Sequence, residues 1–224
     1  MQQTIVFDVE TGPLAEGELS ALLPPFDPAE VKTGNLKDPA KIAEKIAEAE
    51  ANHRRDFIER AALDPLTGRV IAIGMLDLET DNFSIISNVD EAQLLREFWQ
   101  TTRGEMGRIN PLIGFNICNF DLPFLFRRSW KHRIAVPFGI RRGRYWGDQV
   151  VDLRDAWQLG DRQARGSLDS IAKHLGFGGK NGDGKEFAEL WRRDRDRAVA
   201  YLRNDVDLTA RIAEALGVVE ALAF

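Results

Sequence analysis

The spacing of apolar and polar positions changes several times along the chain. "TIVF" (Thr4–Phe7) is a continuous apolar and β-branched run, the pattern of a buried strand, and Thr11-Gly12-Pro13 is expected to stop it. Pro13–Leu36 is polar, contains prolines and shows no period. Lys37–Ala62 then brings Ile42, Ala43, Ile46, Ala47, Phe57, Ile58, Ala61 and Ala62 into an imperfect helical stripe, closed by Asp64-Pro65 and Thr67-Gly68. Arg69–Glu79 and Asn82–Ser87 read as two strands of a hairpin turning near Thr80-Asp81. Asp90 is placed to cap a helix reaching about Arg103, and Pro111–Asn116 is a short buried strand. Phe120–His132 is a helix with Asp121 at its start and Pro123 tolerated in the first turn. Gln149–Trp157 is a strand or a strand-to-helix junction, and Ser167 caps a helix from Leu168 to Leu175. Gly176–Lys185 reads as a connecting loop, and the last helix runs from about Asp194 to Leu216.

This order predicts one α/β domain over residues 1–224, with a mixed five-stranded sheet flanked by helices. Residues 14–63 are expected as a helical insertion between the first two strands, too long a connection to be a plain loop.

Composition narrows the class. A hydrophobic fraction of 44% and a charged fraction of 29% suit an ordinary globular core. A single cysteine, Cys118, rules out an intrachain disulfide and fits a reducing compartment. No membrane-spanning run and no basic leader are visible, so the expected location is cytoplasmic, with no membrane partner. The formal net charge of −5 argues against a protein that coats nucleic acid by bulk charge, though not against a local basic groove.

The candidate chemistry lies in carboxylates. Asp8 and Glu10 have only Val9 between them, so on a strand they share a face about 6–7 Å apart. Like charges that close repel unless a cation or a raised pKa resolves the conflict, although two solvated acids at a strand end would look the same in sequence. Asp121 opens a helix directly after a buried strand, where α/β sheets place ligands, and an Asp there also serves as an N-cap. Asp205 has Tyr201 four residues before it, which puts a carboxylate and a phenol on one helix face; Asp207 is the competing acid. Asp152, near a strand end, suits a structural role.

Taken in order, Asp8-x-Glu10, Asn116…Phe120-Asp121 and Tyr201-x-x-x-Asp205 resemble the DEDD superfamily of 3′–5′ exonucleases, in its tyrosine subclass. The contexts "FDVETG", "GFNICNFDLPFL" and "YLRNDVDLT" look most like the proofreading exonuclease domain of family B DNA polymerases and its stand-alone relatives. The resemblance covers nearly the whole chain apart from Leu14–Leu63, and Ala200 stands where the histidine subclass would have His. It implies a ribonuclease H-like fold and two divalent metal ions, Mg²⁺ or Mn²⁺, serving in-line phosphodiester hydrolysis. It further implies that Asp8 bridges both ions, that Glu10 and Asp205 hold the nucleophile's ion, and that Asp121 supports the second. Tyr201 would orient the attacking water, since an ordinary phenol pKa near 10 makes a poor base. Thr11, Asn116 and Phe120 are implied as contacts of the substrate. Hard oxygen ligands suit Mg²⁺ or Mn²⁺, and no Cys/His cluster points to zinc.

A basic run adds to this picture. Arg127, Arg128, Lys131, Arg133, Arg141, Arg142 and Arg144 fall within 18 residues lacking Asp and Glu, with Trp130, Tyr145 and Trp146 among or just after them. Cations interleaved with aromatics suit a phosphate backbone and stacked bases, and a solvated surface with inward aromatics is the plainer alternative. The expected function is a metal-dependent 3′–5′ exonuclease releasing nucleoside monophosphates from single-stranded DNA. The alternatives are an RNA exonuclease of the RNase D type and a catalytically silent nucleic-acid-binding module. The chain ends 19 residues past Asp205, so no polymerase domain is expected to follow, and a separate polymerase or repair partner is left open.

Overall fold

The computed structural model describes residues 3–104, 109–136, 149–161, 163–182 and 184–219. Five strands, β1 (Ile5–Pro13), β2 (Gly68–Asp77), β3 (Asn82–Ile86), β4 (Leu112–Gly114) and β5 (Val150–Asp152), form one sheet in the order β3-β2-β1-β4-β5. β1 runs parallel to β4 with Ile5 opposite Leu112, and β4 runs parallel to β5 with Gly114 opposite Asp152. β2 and β3 are the expected antiparallel hairpin, with Ile73 opposite Ile86. The Leu78 N–H donates to the Thr4 carbonyl across 3.0 Å, setting the end of β2 against the start of β1.

Eight helices accompany the sheet among the described residues: α1 (Glu16–Leu22), α2 (Pro39–Ala61), α3 (Glu91–Thr101), α4 (Asp121–Lys131), α5 (Leu153–Gln158), α6 (Leu168–His174), α7 (Phe187–Arg193) and α8 (Arg195–Ala215). None is long and apolar enough to cross a membrane. The caps are those that the side chains favour. Asp90 accepts the Ala92 N–H, Ser167 and Ser170 form a reciprocal capping box, and Asp194 accepts the Arg197 N–H.

Three expectations shift. β1 does not stop at Thr11 but continues to Pro13 alongside the start of β2, where the Leu14 N–H donates to the Thr67 carbonyl at 2.9 Å, while Pro sits harmlessly as the last residue. α1 arises inside the segment that showed no period, because its seven residues bury only Leu19 and leave no stripe to detect. α7 precedes the last helix, from which Asp194 separates it.

Alternation along β1 explains the layers. Ile5, Phe7 and Val9 point into a cluster with Leu94, Leu95 and Phe98 of α3 and Leu122 and Leu125 of α4. Val6 points the other way, into a cluster with Ile171 of α6 and Leu202 and Val206 of α8. α8 lies close over β2, where a Cβ on Gly74 would come within 2.8 Å of Leu202 Cγ, so the helix needs a glycine beneath it.

One member of the basic run does not belong to the surface. Arg128 is 1% exposed and clamps Glu91, which reaches it from the start of α3 with Nη2···Oε2 at 2.5 Å. Glu91 also accepts the Val70 N–H at 2.8 Å and meets His132 Nε2 at 2.8 Å. The buried network therefore ties α3, α4 and β2 together. Arg141, Arg142, Arg144, Tyr145 and Trp146 lie outside the described residues.

Residues 12–69 form a compact unit of their own, separate from the unit built of residues 1–11 and 70–224. Within it α2 buries only Ala61, and Phe26 rests on His53 with ring centroids 5.7 Å apart.

Candidate active site

Asp8 and Glu10 follow Val6 onto the sheet face that α8 covers, and α8 presents Asp205 and Tyr201 one turn apart to the same face. One carboxylate oxygen each from Asp8, Glu10 and Asp205 lies within 4.8 Å of the other two. Asp121 arrives from the opposite layer. Its Oδ1 accepts the Val9 N–H of β1 at 3.1 Å, so it is held toward the strand rather than capping its own helix. Phe120 occupies the N-cap position and makes no side-chain cap.

The electrostatics are those of an anion cluster short of cations. Burial, then the Asp205 charge, pushes Asp8 up to about 7, with Lys180 and the Val9 N–H opposing. Burial and then the Asp8 charge raise both Glu10 and Asp121 well above the usual carboxylate range. Burial raises Asp205 as well, against the pull of Lys180. Burial first, then Asp205 and Glu10, raises the Tyr201 hydroxyl, so the phenol stays protonated at neutral pH and keeps a proton to donate. The Tyr201 hydroxyl and Asp205 Oδ1 are buried without a hydrogen bond of good geometry. A cluster of three carboxylates, with Asp205 Oδ1 buried and unpaired, is a donor set of hard oxygens that fits a divalent cation.

A lysine that sequence reasoning passed over supplies one positive charge. Lys180 Nζ lies 2.5 Å from Asp205 Oδ2 and 5.2 Å from the centre of the Tyr201 ring. Asp205 holds the ammonium above its usual range even though burial works against it. The loop Gly176–Lys185 is therefore more than a connector. A Cβ on Gly182 would stand 2.7 Å from Tyr201 Cδ2, which shows how closely this loop covers the phenol. The available signal was a lysine in the middle of a glycine-rich loop, one short helix before the helix carrying Tyr201 and Asp205.

Other sequence candidates take different places. Asp207 is turned outward toward Arg203 at 3.5 Å, leaving Asp205 as the acid of the cluster. Asp152 accepts from the N–H groups of Asn116, Cys118 and Arg154, which makes it the organiser of the β4–α4 turn. Cys118, Asp152 and Asp155 also approach one another, but Asp152 already spends both oxygens on those donors. Asn116 stands at φ 63°, and its Oδ1 accepts from Arg154 and Asn119. Phe120 is half-buried beside Phe124 at 5.7 Å, and Thr11 is buried on β1.

Comparison with known proteins follows the same lines. A family model described as a predicted 3′–5′ exonuclease related to the exonuclease domain of PolB matches residues 63–210. The chain belongs to this PolB-related exonuclease family. The matched stretch contains Asp121, Lys180, Tyr201 and Asp205, whereas Asp8 and Glu10 precede it and join the others through the fold alone. Among solved structures, the chain resembles the family B DNA polymerase from the hyperthermophilic archaeon Pyrobaculum calidifontis, with a TM-score of 0.59 and 16% identity. The likeness covers 96% of this chain and 24% of the polymerase chain, and it shows a shared ribonuclease H-like fold. No curated protein matches.

Within this cluster, Lys180 offsets part of the repulsion among the acids. Lys180→Ala should therefore destabilise the metal-free protein by about 1–3 kcal/mol and enlarge the stabilisation produced by Mn²⁺, since no ammonium then competes for Asp205. Thermal unfolding in EDTA and in Mn²⁺ measures both, and an unchanged Mn²⁺ shift would show that Lys180 and the cation do not share a ligand.

Proposed function

We propose that this chain is a metal-dependent 3′–5′ exonuclease that hydrolyses single-stranded DNA from its 3′ end to nucleoside monophosphates. The observation that carries the reading is the meeting of Asp8, Glu10 and Asp205 within 4.8 Å, in a chain whose family is related to the PolB exonuclease domain. Asp8, Glu10, Asp121 and Asp205 would hold two divalent ions, Mg²⁺ or Mn²⁺. The chemistry such ions supply when bound is charge neutralisation at the attacking and leaving oxygens of an in-line displacement.

The chain's own groups do the rest. Tyr201 keeps its proton, so its role is to donate a hydrogen bond that orients the attacking water or the phosphate, not to accept a proton. The loop at Gly182 fixes the phenol ring against the site. Val9 N–H holds Asp121, so the strand that carries Asp8 and Glu10 also positions the acid that faces them. Thr11, Asn116 and Phe120 are proposed to contact the terminal nucleotide, and Phe120 offers a half-buried ring next to Asp121.

Digestion of end-labelled oligonucleotides tests the reading. With Mg²⁺ or Mn²⁺ a 5′-blocked single strand should be reduced to mononucleotides, while a 3′-blocked strand and an EDTA control should persist. Cleavage of a circular single strand would indicate an endonuclease, and equal digestion of RNA would remove the DNA preference.

A further inference from the structure

We propose that Arg154 is a positioning residue for substrate binding: it fixes the side chain of Asn116 so that the amide Nδ2 is left as a donor for a phosphate of the bound strand. This rests on the exonuclease reading, in which Asn116 contacts the terminal nucleotide. The three parallel strands place the pair. Val6 lies opposite Ile113, Gly114 lies opposite Asp152, and a Cβ on Gly114 would stand 2.9 Å from the Phe7 carbonyl oxygen. Phe7, Gly114 and Asp152 are therefore level across the sheet. Just past that level the chain delivers Asp8 on β1, Asn116 beyond β4 and Arg154 at the start of α5. All three strands run the same way, and such sheets bind ligands beyond the carboxyl ends of their strands.

Almost every polar group of Asn116 is already committed. Its backbone N–H donates to Asp152 Oδ1 at 2.8 Å, and its carbonyl accepts from the N–H groups of Asn119 and Phe120, each at 3.1 Å. Its Oδ1 accepts from Arg154 Nη1 at 3.1 Å and from Asn119 Nδ2 at 3.2 Å. A guanidinium can only donate, so the atom that faces Arg154 must be the amide oxygen, and the amide cannot flip. What remains is Nδ2, which donates to nothing among the described residues. Arg154 is half-buried and pairs with no carboxylate among the described residues. Its own N–H donates to the same Asp152 oxygen at 2.9 Å, so backbone and side chain alike tie it to Asn116. Asn116 stands at φ 63°, a left-handed conformation that Asn adopts more readily than most residues. A guanidinium drawing on Oδ1 polarises the amide and strengthens its N–H as a donor. The acceptor is a phosphate oxygen: an enzyme that removes nucleotides in turn meets every base, and phosphate is the acceptor common to all of them.

The test combines steady-state hydrolysis of a thymidine trinucleotide in Mn²⁺ with equilibrium binding of the same labelled strand in EDTA at low salt. Circular dichroism monitors the fold. Arg154→Met should raise KM and weaken binding about tenfold, with kcat within about twofold, because a contact made equally in ground and transition states is lost. Arg154→Lys, which retains a cationic donor, should recover part of the loss. Asn116→Asp keeps the shape and an oxygen for Arg154 but exchanges the donor for an acceptor, and it should weaken binding at least as much. The deciding variant is Asn116→Gly, which suits the left-handed backbone and has no side chain to hold. In that background Arg154→Met should bring no further loss. An equal loss there, or wild-type binding by Arg154→Met or by Asn116→Asp, would overturn the positioning role. Binding that depends on Arg154 only through Asn116, in a protein without nuclease activity, would support the positioning role and refute the enzyme. Hydrolysis whose KM rises additively in the double variant would do the reverse. Neither hydrolysis nor binding by the intact protein would overturn both.

Discussion

Replacing Asp8 by Ala should abolish phosphodiester hydrolysis and at the same time stabilise the metal-free protein. The first effect follows from its place in the acid triad: if divalent ions are held there, losing one of the carboxylates that would hold them should remove several kcal/mol of transition-state charge stabilisation, a rate loss of about 10³-fold or more. The second follows from its titration. The unfolded chain releases the Asp8 proton near the ordinary value of 3.8, whereas the folded chain keeps it to about 7. Between those values the native state binds more protons, so stability falls as pH rises through that window. Above it, the charged, buried carboxylate is a net cost, and its removal should return about 1–3 kcal/mol in EDTA. Below pH 3.8 the stability difference should vanish. Saturating Mn²⁺ should reverse the order of stability, because only the wild-type protein retains the full ligand set. Denaturant titrations with and without EDTA at several pH values measure all of this. A variant with wild-type turnover, or one less stable than wild type in EDTA at pH 8, would contradict the assignment of Asp8.

The second large effect lies outside the site. Arg128→Ala should cost about 3–5 kcal/mol, because it leaves Glu91 charged, buried and facing an empty volume. The paired replacement Glu91→Gln with Arg128→Met should recover much of that loss, since both charges leave together and Gln retains an acceptor for the Val70 N–H. Burial alone would raise Glu91, but the hydrogen bonds from Arg128, His132 and Val70 outweigh it and lower its pKa below the ordinary 4.5. The sign is the usual one for an acid. This contribution is complete above pH 4.5 and disappears as pH falls through the lower folded value. Acid unfolding of the double variant should therefore lack that part of the slope. A double variant as unstable as Arg128→Ala would point to packing of the guanidinium stem, not the ion pair, as the source of the effect. Because α4 begins with Asp121, loss of this clamp is also expected to loosen the acid facing β1.

Much of this architecture is written in local pattern. The hairpin β2–β3 shows as two alternating runs around Thr80-Asp81, and Asp90, Ser167 and Asp194 announce helix starts through their own hydrogen bonds. The acids were legible for a similar reason. Two carboxylates one residue apart on a strand must share a face, and Tyr201 and Asp205 must share a helix side, whatever the rest of the chain does. Local signals failed where the deciding partner was distant. The end of β1 depends on flanking strands, and α1 is too short and too exposed to leave a period.

By itself, the sequence determined the order of the five strands and the longer helices, the pairing of Asp8 with Glu10 and the pairing of Tyr201 with Asp205, because each follows from backbone geometry over a few residues. Only the tertiary structure decided that Asp205, not Asp207, meets Asp8, that Asp121 is held by the Val9 N–H, and that Lys180 reaches the cluster from a glycine-rich loop. It alone separated Arg128, buried on Glu91, from the exposed stripe of Arg127, Trp130 and Lys131. Composition gives both groups the same charge. Which cation is desolvated and which faces water depends on the neighbours that packing brings from elsewhere in the chain.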